Sequence, residues 1–277
     1  MPLSDRLMQK KVYKIFLSVL LTLCVTGCGE FQKLQKSTDP ELKYTKAIEY
    51  FNAGKYSKAQ MLFDDVSAYY KGTERSEDVL IYLARCYMGQ KDYASAAEYY
   101  SAYTRNYPKG KSIMEASFMV AHANYMDSPD ARLDQAQTKK AIEYYTIFVE
   151  HYPDSQYATQ AYDEMREMLD KLAQKELYSA QLYYNLGTYL GNNYLSAETV
   201  ARNAIKKYPS NKYLEEFAWI ILKSKYQQTL NSIESLKDER ARDTQDEYYN
   251  FITDYPGSKH RREADNINKQ ILKIIGG

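Results

Sequence analysis

With 277 residues and a formal net charge of +1, the chain is long enough for one or two domains and lacks the basic excess that a nucleic-acid binder needs. A hydrophobic content of 44% argues against disorder. The scarcity of glycine (11) and proline (7), with few β-branched runs, favours an all-α protein.

Residues 1–27 read as a signal peptide rather than as part of the fold. Lys10, Lys11 and Lys14 form a basic start, and residues 15–25 form an apolar stretch too short to span a bilayer comfortably. Met1 and Met8 are both candidate starts. The stretch runs into Val25-Thr26-Gly27-Cys28, which resembles the lipobox of bacterial lipoproteins: an aliphatic residue, two small residues and the acylated cysteine. That resemblance implies cleavage before Cys28 and a covalent lipid on it, with no other cofactor. Because Gly29 rather than Asp follows, it also implies delivery to the outer membrane. An ordinary secretory signal cut nearby would instead leave Cys28 free. Several acyl chains anchor more firmly than one, since each buried methylene contributes about 0.8 kcal/mol.

Residues 28–38 are expected to be a polar tether. Asp39-Pro40 then opens the first helix, with Asp as N-cap and Pro at the first helical position. From Pro40 onward the chain is internally repetitive. In the second unit, residues 75–109, small and aromatic residues stand at Ala84, Tyr87, Tyr93, Ala96 and Tyr100, with Pro108 at the close. The first unit, residues 40–71, has the same register at one constant offset: Ala47, Tyr50, Tyr56, Ala59, Phe63 and Lys71.

The third unit places helices over 112–126 and 133–151 around a loop at Asp127-Ser128-Pro129-Asp130, and closes in Tyr152-Pro153. The fourth departs from the pattern. From Ser155 to Leu190 there is no proline and Gly187 is the only glycine, so one long helix or two nearly continuous ones are expected before the break at Gly191-Asn192-Asn193. A helix over 194–207 completes it. The fifth pairs helices over 212–228 and 239–253 around a polar middle at 231–238, with Thr244 where the other units carry Ala. A charged amphipathic helix over 258–275 suits the terminal cap of a solenoid.

Each unit is a helix–turn–helix that cannot bury its apolar face alone, so neighbours must stack. Small residues belong where helices cross closely, aromatic rings fill the gaps, and Pro after the second helix forces the turn. The 30 tyrosines fit such repeated interfaces, with a sticky aromatic surface as the alternative. The order small, aromatic, aromatic, Ala, aromatic, Pro resembles the tetratricopeptide repeat. The expected fold is therefore an all-α, tetratricopeptide-like solenoid of about five helix–turn–helix repeats with a C-terminal capping helix. The Trp and Leu-Gly usual in the first helix are mostly missing, with Leu186-Gly187 the nearest match.

The tetratricopeptide register puts first helices on a concave face. There repeat one would show Tyr44, Ile48, Phe51 and Asn52, and repeat two Asp78, Ile81, Arg85 and Met88. This apolar wall with one cation and one anion would suit an extended, aromatic-rich peptide, with Arg85 meeting a carboxylate. The alternative is that Ile48, Phe51 and Ile81 are covered by the next repeat or by the tether. No catalytic or metal constellation is seen. His122, His151 and His260 are scattered, Cys86 stands alone, and Asp64-Asp65 point to different sides of a helix. The chain is thus expected not to be an enzyme.

A lipobox at Cys28, five divergent repeats, a helix-length insertion before Tyr183-Tyr184 and turns at Tyr152-Pro153-Asp154-Ser155 and Tyr255-Pro256-Gly257-Ser258 together resemble the BamD family of the outer-membrane β-barrel assembly machinery. The resemblance implies a lipid-anchored scaffold on the periplasmic face of the outer membrane. Repeats one to three (residues 39–153) would receive unfolded outer-membrane proteins by an aromatic C-terminal signal. Repeats four and five with the cap (residues 154–277) would bind the periplasmic domains of the barrel-forming subunit, beside the other lipoproteins of the complex. In the family an Arg-bearing segment after the long helix contacts that subunit. Residues 186–196 here hold no Arg, so no contact residue carries over. A periplasmic tetratricopeptide adaptor for a cell-wall or other envelope complex is the alternative function. Replacing the lipobox cysteine (Cys28→Ser) is expected to abolish palmitate labelling and move the protein from the membrane pellet to the soluble fraction of lysed cells.

Overall fold

The computed structural model describes residues 29–276, and among these every regular element is helical. Residues 1–27, read as a signal peptide, and Cys28 lie outside the described residues. After a short helical segment over 29–35 come α1 (Pro40–Asn52), α2 (Tyr56–Tyr70), α3 (Arg75–Gly89) and α4 (Tyr93–Asn106). Next are α5 (Ile113–Met126), α6 (Ala136–His151), α7 (Ala158–Leu186) and α8 (Asn193–Lys207). The series ends with α9 (Leu214–Leu230), α10 (Glu234–Asp254) and α11 (Arg261–Ile275). The helices pair as five repeats, with α11 after the last pair, so the fold is an all-α helical repeat. The chain forms two compact units that divide inside α5, one ending at Val120 and the other beginning at Ala121.

Short turns and caps set the helix starts. Asp39 accepts from the N–H groups of Glu41 and Leu42 at 3.0 and 3.1 Å. Asp92 accepts from Ser95 at 3.1 Å and Asn192 from Leu195 at 3.2 Å. Each such cap contributes about 1 kcal/mol. The core of the first unit gathers Ala47, Ala59, Leu62, Phe63 and Val66 with Val79, Leu83 and Cys86. In the second unit Leu172, Leu177, Ala197 and Ala201 pack with Phe217, Ile220 and Ile221, while Trp219, Leu222 and Phe251 meet Ala264, Ile267 and Ile271 of α11.

Repeat four contains one continuous helix of 29 residues. It stops at Gly187, whose φ of +58° lets its N–H close on the carbonyls of Tyr183 and Tyr184. Three expectations need correction. The tether is partly helical and docked: Phe31 is buried and packs edge-on against Tyr50 at 5.5 Å, with the Lys58 amine 5.2 Å from its ring centre. Phe31 and, beside it, half-buried Leu34 pack on the core of the first unit and fix the segment. Secondly, α6 starts at Ala136 rather than at 133, because buried Gln135 donates to the carbonyls of Asp130 and Leu133 and so closes a compact loop. Thirdly, α10 starts at Glu234, inside the stretch read as a polar middle. Its Glu, Lys and Arg residues are good helix formers, and charges pair along the helix as Lys237–Glu234 at 3.6 Å and Arg242–Asp238 at 3.1 Å.

The turn between α1 and α2 shows how tightly repeats one and two meet. A Cβ added to Gly89, the last residue of α3, would lie 2.5 Å from the ring of Tyr56. That ring is itself held edge-on to Phe51 at 5.5 Å. Gly89→Ala is expected to destabilise the protein by about 1–3 kcal/mol through overpacking, read by urea denaturation. Combining it with Tyr56→Ala should remove most of that penalty.

Candidate functional site

The face singled out from the sequence lies wholly in the first unit, on α1 and α3. Tyr44 is half-buried and meets Phe63 edge-on at 6.0 Å and Tyr70 at 5.6 Å, while the Arg75 guanidinium sits 5.0 Å from its ring centre. Burial raises the Tyr44 phenol above its ordinary value, and the charge of Asp78 adds to this. Phe51 packs edge-on to Tyr56 at 5.5 Å and to Tyr82 at 5.2 Å. Tyr82 in turn stacks on Phe63 at 5.1 Å with the rings 10° apart. Tyr44, Ile48 and Phe51 are therefore a half-buried shoulder of the core, each with one side still open.

The remaining residues divide. Ile81 is only 3% exposed and belongs to the core, so it offers a ligand no surface. Asp78 and Met88 are half-buried, and Asn52 is exposed at the end of α1. Arg85 does meet a carboxylate, but an internal one. Its Nε and Nη2 donate to Glu115 Oε1 and Oε2 at 2.8 and 2.5 Å, a two-point pair that holds the guanidinium pKa above its usual range. The guanidinium also lies 5.5 Å from the Tyr82 ring centre. Reading repeat two alone missed Glu115, because it stands on the first helix of the next repeat. The signal was available: equivalent helices of successive repeats are neighbours, so an Arg on one seeks a Glu on the next.

Sequence reasoning also missed a buried polar cluster in the second unit. Glu164 on α7 is 8% exposed and accepts hydrogen bonds from Tyr145 on α6, from Gln160 Nε2 at 2.8 Å and from His122 on α5, whose Nδ1 is 2.8 Å away. Burial alone would raise the Glu164 carboxyl. The hydrogen bonds from His122, Tyr145 and Gln160 together outweigh it and hold the group below its usual 4.5. Burial and the Glu164 contact push the Tyr145 phenol up. The other two histidines are apart from this cluster. His151 bonds the Ile147 carbonyl at 2.8 Å, and His260 stacks on Trp219 at 4.7 Å.

Cys86 is fully buried, and burial pushes its thiol up to about 12, far from a reactive thiolate. Of the adjacent acids, Asp65 pairs with Lys43 at 2.9 Å and Asp64 accepts from Gln60 at 3.1 Å. Among the described residues no group of three His, Cys, Asp or Glu side chains is placed to hold a metal ion. No described helix is long and apolar enough to cross a membrane. What the first-unit face offers is half-buried aromatic surface beside a guanidinium tied to Glu115.

Residues 36–192, more than half of the chain, match the family model described as YfiO: Outer membrane lipoprotein. The chain belongs to the YfiO family. The match covers the first-unit face and the Glu164 cluster and stops at the break after α7. Among curated relatives, the outer membrane protein assembly factor BamD of Caulobacter vibrioides is 25% identical over 189 residues, covering 67% of this chain. This chain spans 62% of that protein, less than two thirds of its length. BamD of Neisseria meningitidis serogroup B is 23% identical over 221 residues, covering 73% of this chain and 80% of that protein. Among solved structures, the TPR2AB-domain:pHSP90-complex of yeast Sti1 is similar with a TM-score of 0.39 and 13% identity, over 84% of this chain and 98% of that one. The resemblance to the BamD family read from the repeats and turns is thereby shown.

The Glu164 cluster carries a pH signature in this YfiO-family protein. The carboxyl value is depressed in the fold, so its ionised form stabilises the native state. That contribution is complete above the ordinary value of 4.5 and is lost as pH falls through the depressed value. Glu164→Gln is expected to cost about 1–3 kcal/mol at neutral pH. The gap to the wild type should narrow as denaturation midpoints are tracked down to about pH 3.

Proposed function

We propose that this chain is a lipid-anchored scaffold on the periplasmic face of the outer membrane, part of the machinery that folds and inserts β-barrel proteins. It has no catalytic role. The reading is carried by one observation: a YfiO-family match across residues 36–192 together with relatives named as outer membrane protein assembly factors. In this role Cys28 carries the covalent lipid. The chain binds the periplasmic domains of the barrel-forming subunit, works beside the other lipoproteins of the complex and receives unfolded outer-membrane proteins.

The first-unit face supplies the chemistry for a client. The open sides of Tyr44, Ile48 and Phe51 suit the aromatic side chains of an extended peptide, with Asn52, Asp78 and Met88 at the margins. Arg85 uses two of its five N–H donors on Glu115, which leaves donors for a client carboxylate. Ile81 supports this face from beneath.

Two measurements test the reading. A tagged copy purified from detergent-solubilised outer membranes is expected to bring a barrel-forming protein with it. Recovery without any barrel protein, or with cell-wall proteins instead, would overturn the assembly role. For the face, Arg85→Glu is expected to weaken binding of a peptide ending in a C-terminal aromatic residue by about tenfold. Arg85→Gln, which avoids setting two carboxylates against each other, should weaken it less while keeping the melting temperature.

A further inference from the structure

The second unit contains an open cavity of about 510 Å³, within the roughly 300–1,000 Å³ usual for ligand sites. Its walls come from the end of α5 (Tyr125, Met126), the middle of α7 (Lys171, Gln174) and the turn into α9 (Lys212, Tyr213). First helices of three successive repeats, or the turn leading into one, thus line a single depression. None of these residues belongs to the first-unit face.

The charges in this wall are unevenly satisfied. Lys171 is half-buried, and its amine donates to the hydroxyl of Ser128 at 2.8 Å and to its carbonyl at 3.3 Å, both neutral oxygens. No carboxylate among the described residues lies within ion-pair distance of it. Burial pulls the Lys171 amine below its usual value, opposed by the more distant charges of Asp130 and Glu167. Lys212 is well exposed, with its amine 4.0 Å from Asp170 and 5.2 Å from the ring centre of Tyr213. The carboxylate within the wall, Glu167, accepts the Tyr125 hydroxyl at 2.7 Å. Beside these polar groups Met126 leaves 42% of its surface open to solvent.

A partly desolvated ammonium held only by neutral oxygens has already lost water without gaining a counter-charge. An incoming anion would therefore be stabilised there more than at a fully solvated lysine. Its third donor is unused by the Ser128 contacts. The flanking rings and methionine favour an anion attached to an apolar chain over a small inorganic ion.

We propose that this cavity binds an acidic side chain in an extended peptide segment of a partner protein. The carboxylate is taken by Lys171 and Lys212, and an adjacent apolar side chain lies against Met126 and Tyr213. The inference rests on the charge and shape of the cavity and stands independently of the assembly role.

The test uses the full-length protein in detergent and a fluorescein-labelled peptide, Ala-Leu-Glu-Tyr-Ala with an amidated C-terminus, monitored by anisotropy. Saturable binding is expected, about tenfold weaker when the peptide's Glu is replaced by Gln and about tenfold weaker in Lys171→Gln, with Lys171→Arg retaining most of it. Lys171 also secures the loop at 127–135, so Lys212→Gln serves as the second variant. Its side chain is exposed, and it should weaken binding severalfold with an unchanged melting temperature. Absence of binding, equal binding of the Glu and Gln peptides, or wild-type affinity in both Lys→Gln variants would overturn the proposal. So would binding restricted to a peptide with a free C-terminal carboxylate.

Discussion

Close approach of helices at small residues is the constraint on which the rest of this protein depends. Each repeat carries a pair of them with no exposed surface: Ala47 and Ala59, Ala84 and Ala96, Ala121 and Ala141, Ala180 and Ala197, then Ser224 and Thr244. A larger side chain at any of these points would push the helices apart and open voids around the neighbouring rings, losing dispersion contacts that are individually small and collectively large. The fifth repeat keeps the rule with polar residues. There the Thr244 hydroxyl is satisfied by the Arg240 carbonyl at 2.8 Å and the Thr229 hydroxyl at 2.9 Å, whereas the buried Ser224 hydroxyl has no hydrogen-bond partner. Aromatic rings then occupy whatever space the crossings leave, which is why tyrosine is so abundant.

Polar contacts between successive repeats are laid over this packing at a spacing that tracks repeat length. Arg85 and Glu115 are 30 residues apart. Further along, His122 with Glu164 and Tyr125 with Glu167 are each 42 apart, and Ser258 with Glu215 is 43 apart. The 42-residue steps include the loop at 127–135, and the 43-residue step includes the 21-residue α10. Several of these pairs are partly exposed and add little net stability, but each is satisfied in only one register, so together they fix which turn of one helix faces which turn of the next.

The fold was largely legible in the sequence because its signals are local and repeated. Alanine and aromatic spacing, Pro-containing turns, the Asp39-Pro40 start and the absence of breakers before Gly187 all act within a few residues, and the helices form where those signals place them. The two misplaced boundaries err in opposite directions. Residues 133–135 read as helix, although buried Gln135 closes them into a loop. Residues 234–238 read as a polar middle, although charges paired along α10 carry the helix through them. The candidate face was legible only as a set of positions. Periodicity cannot distinguish a residue that lines a surface, such as Asn52, from one beneath it, such as Ile81. Nor can it show that Arg85 finds Glu115, since that requires knowing which helix comes to lie alongside. The Glu164 cluster was invisible for the same reason: its three principal partners come from three helices.

That cluster has a consequence for how the second unit behaves mechanically. In a stack of repeats, each unit ordinarily answers mainly to its nearest neighbours, and disorder can start at one end and stop anywhere. A single buried carboxylate gripped by His122, Tyr145 and Gln160 works against that independence. Freeing α5 or α6 leaves the Glu164 charge short of partners in a place that water barely reaches, and freeing α7 takes the Glu164 acceptor away from buried Tyr145 and from His122, so the three helices are coupled. Within the second unit, the stretch from His122 to Glu164 then opens as one piece rather than one helix at a time.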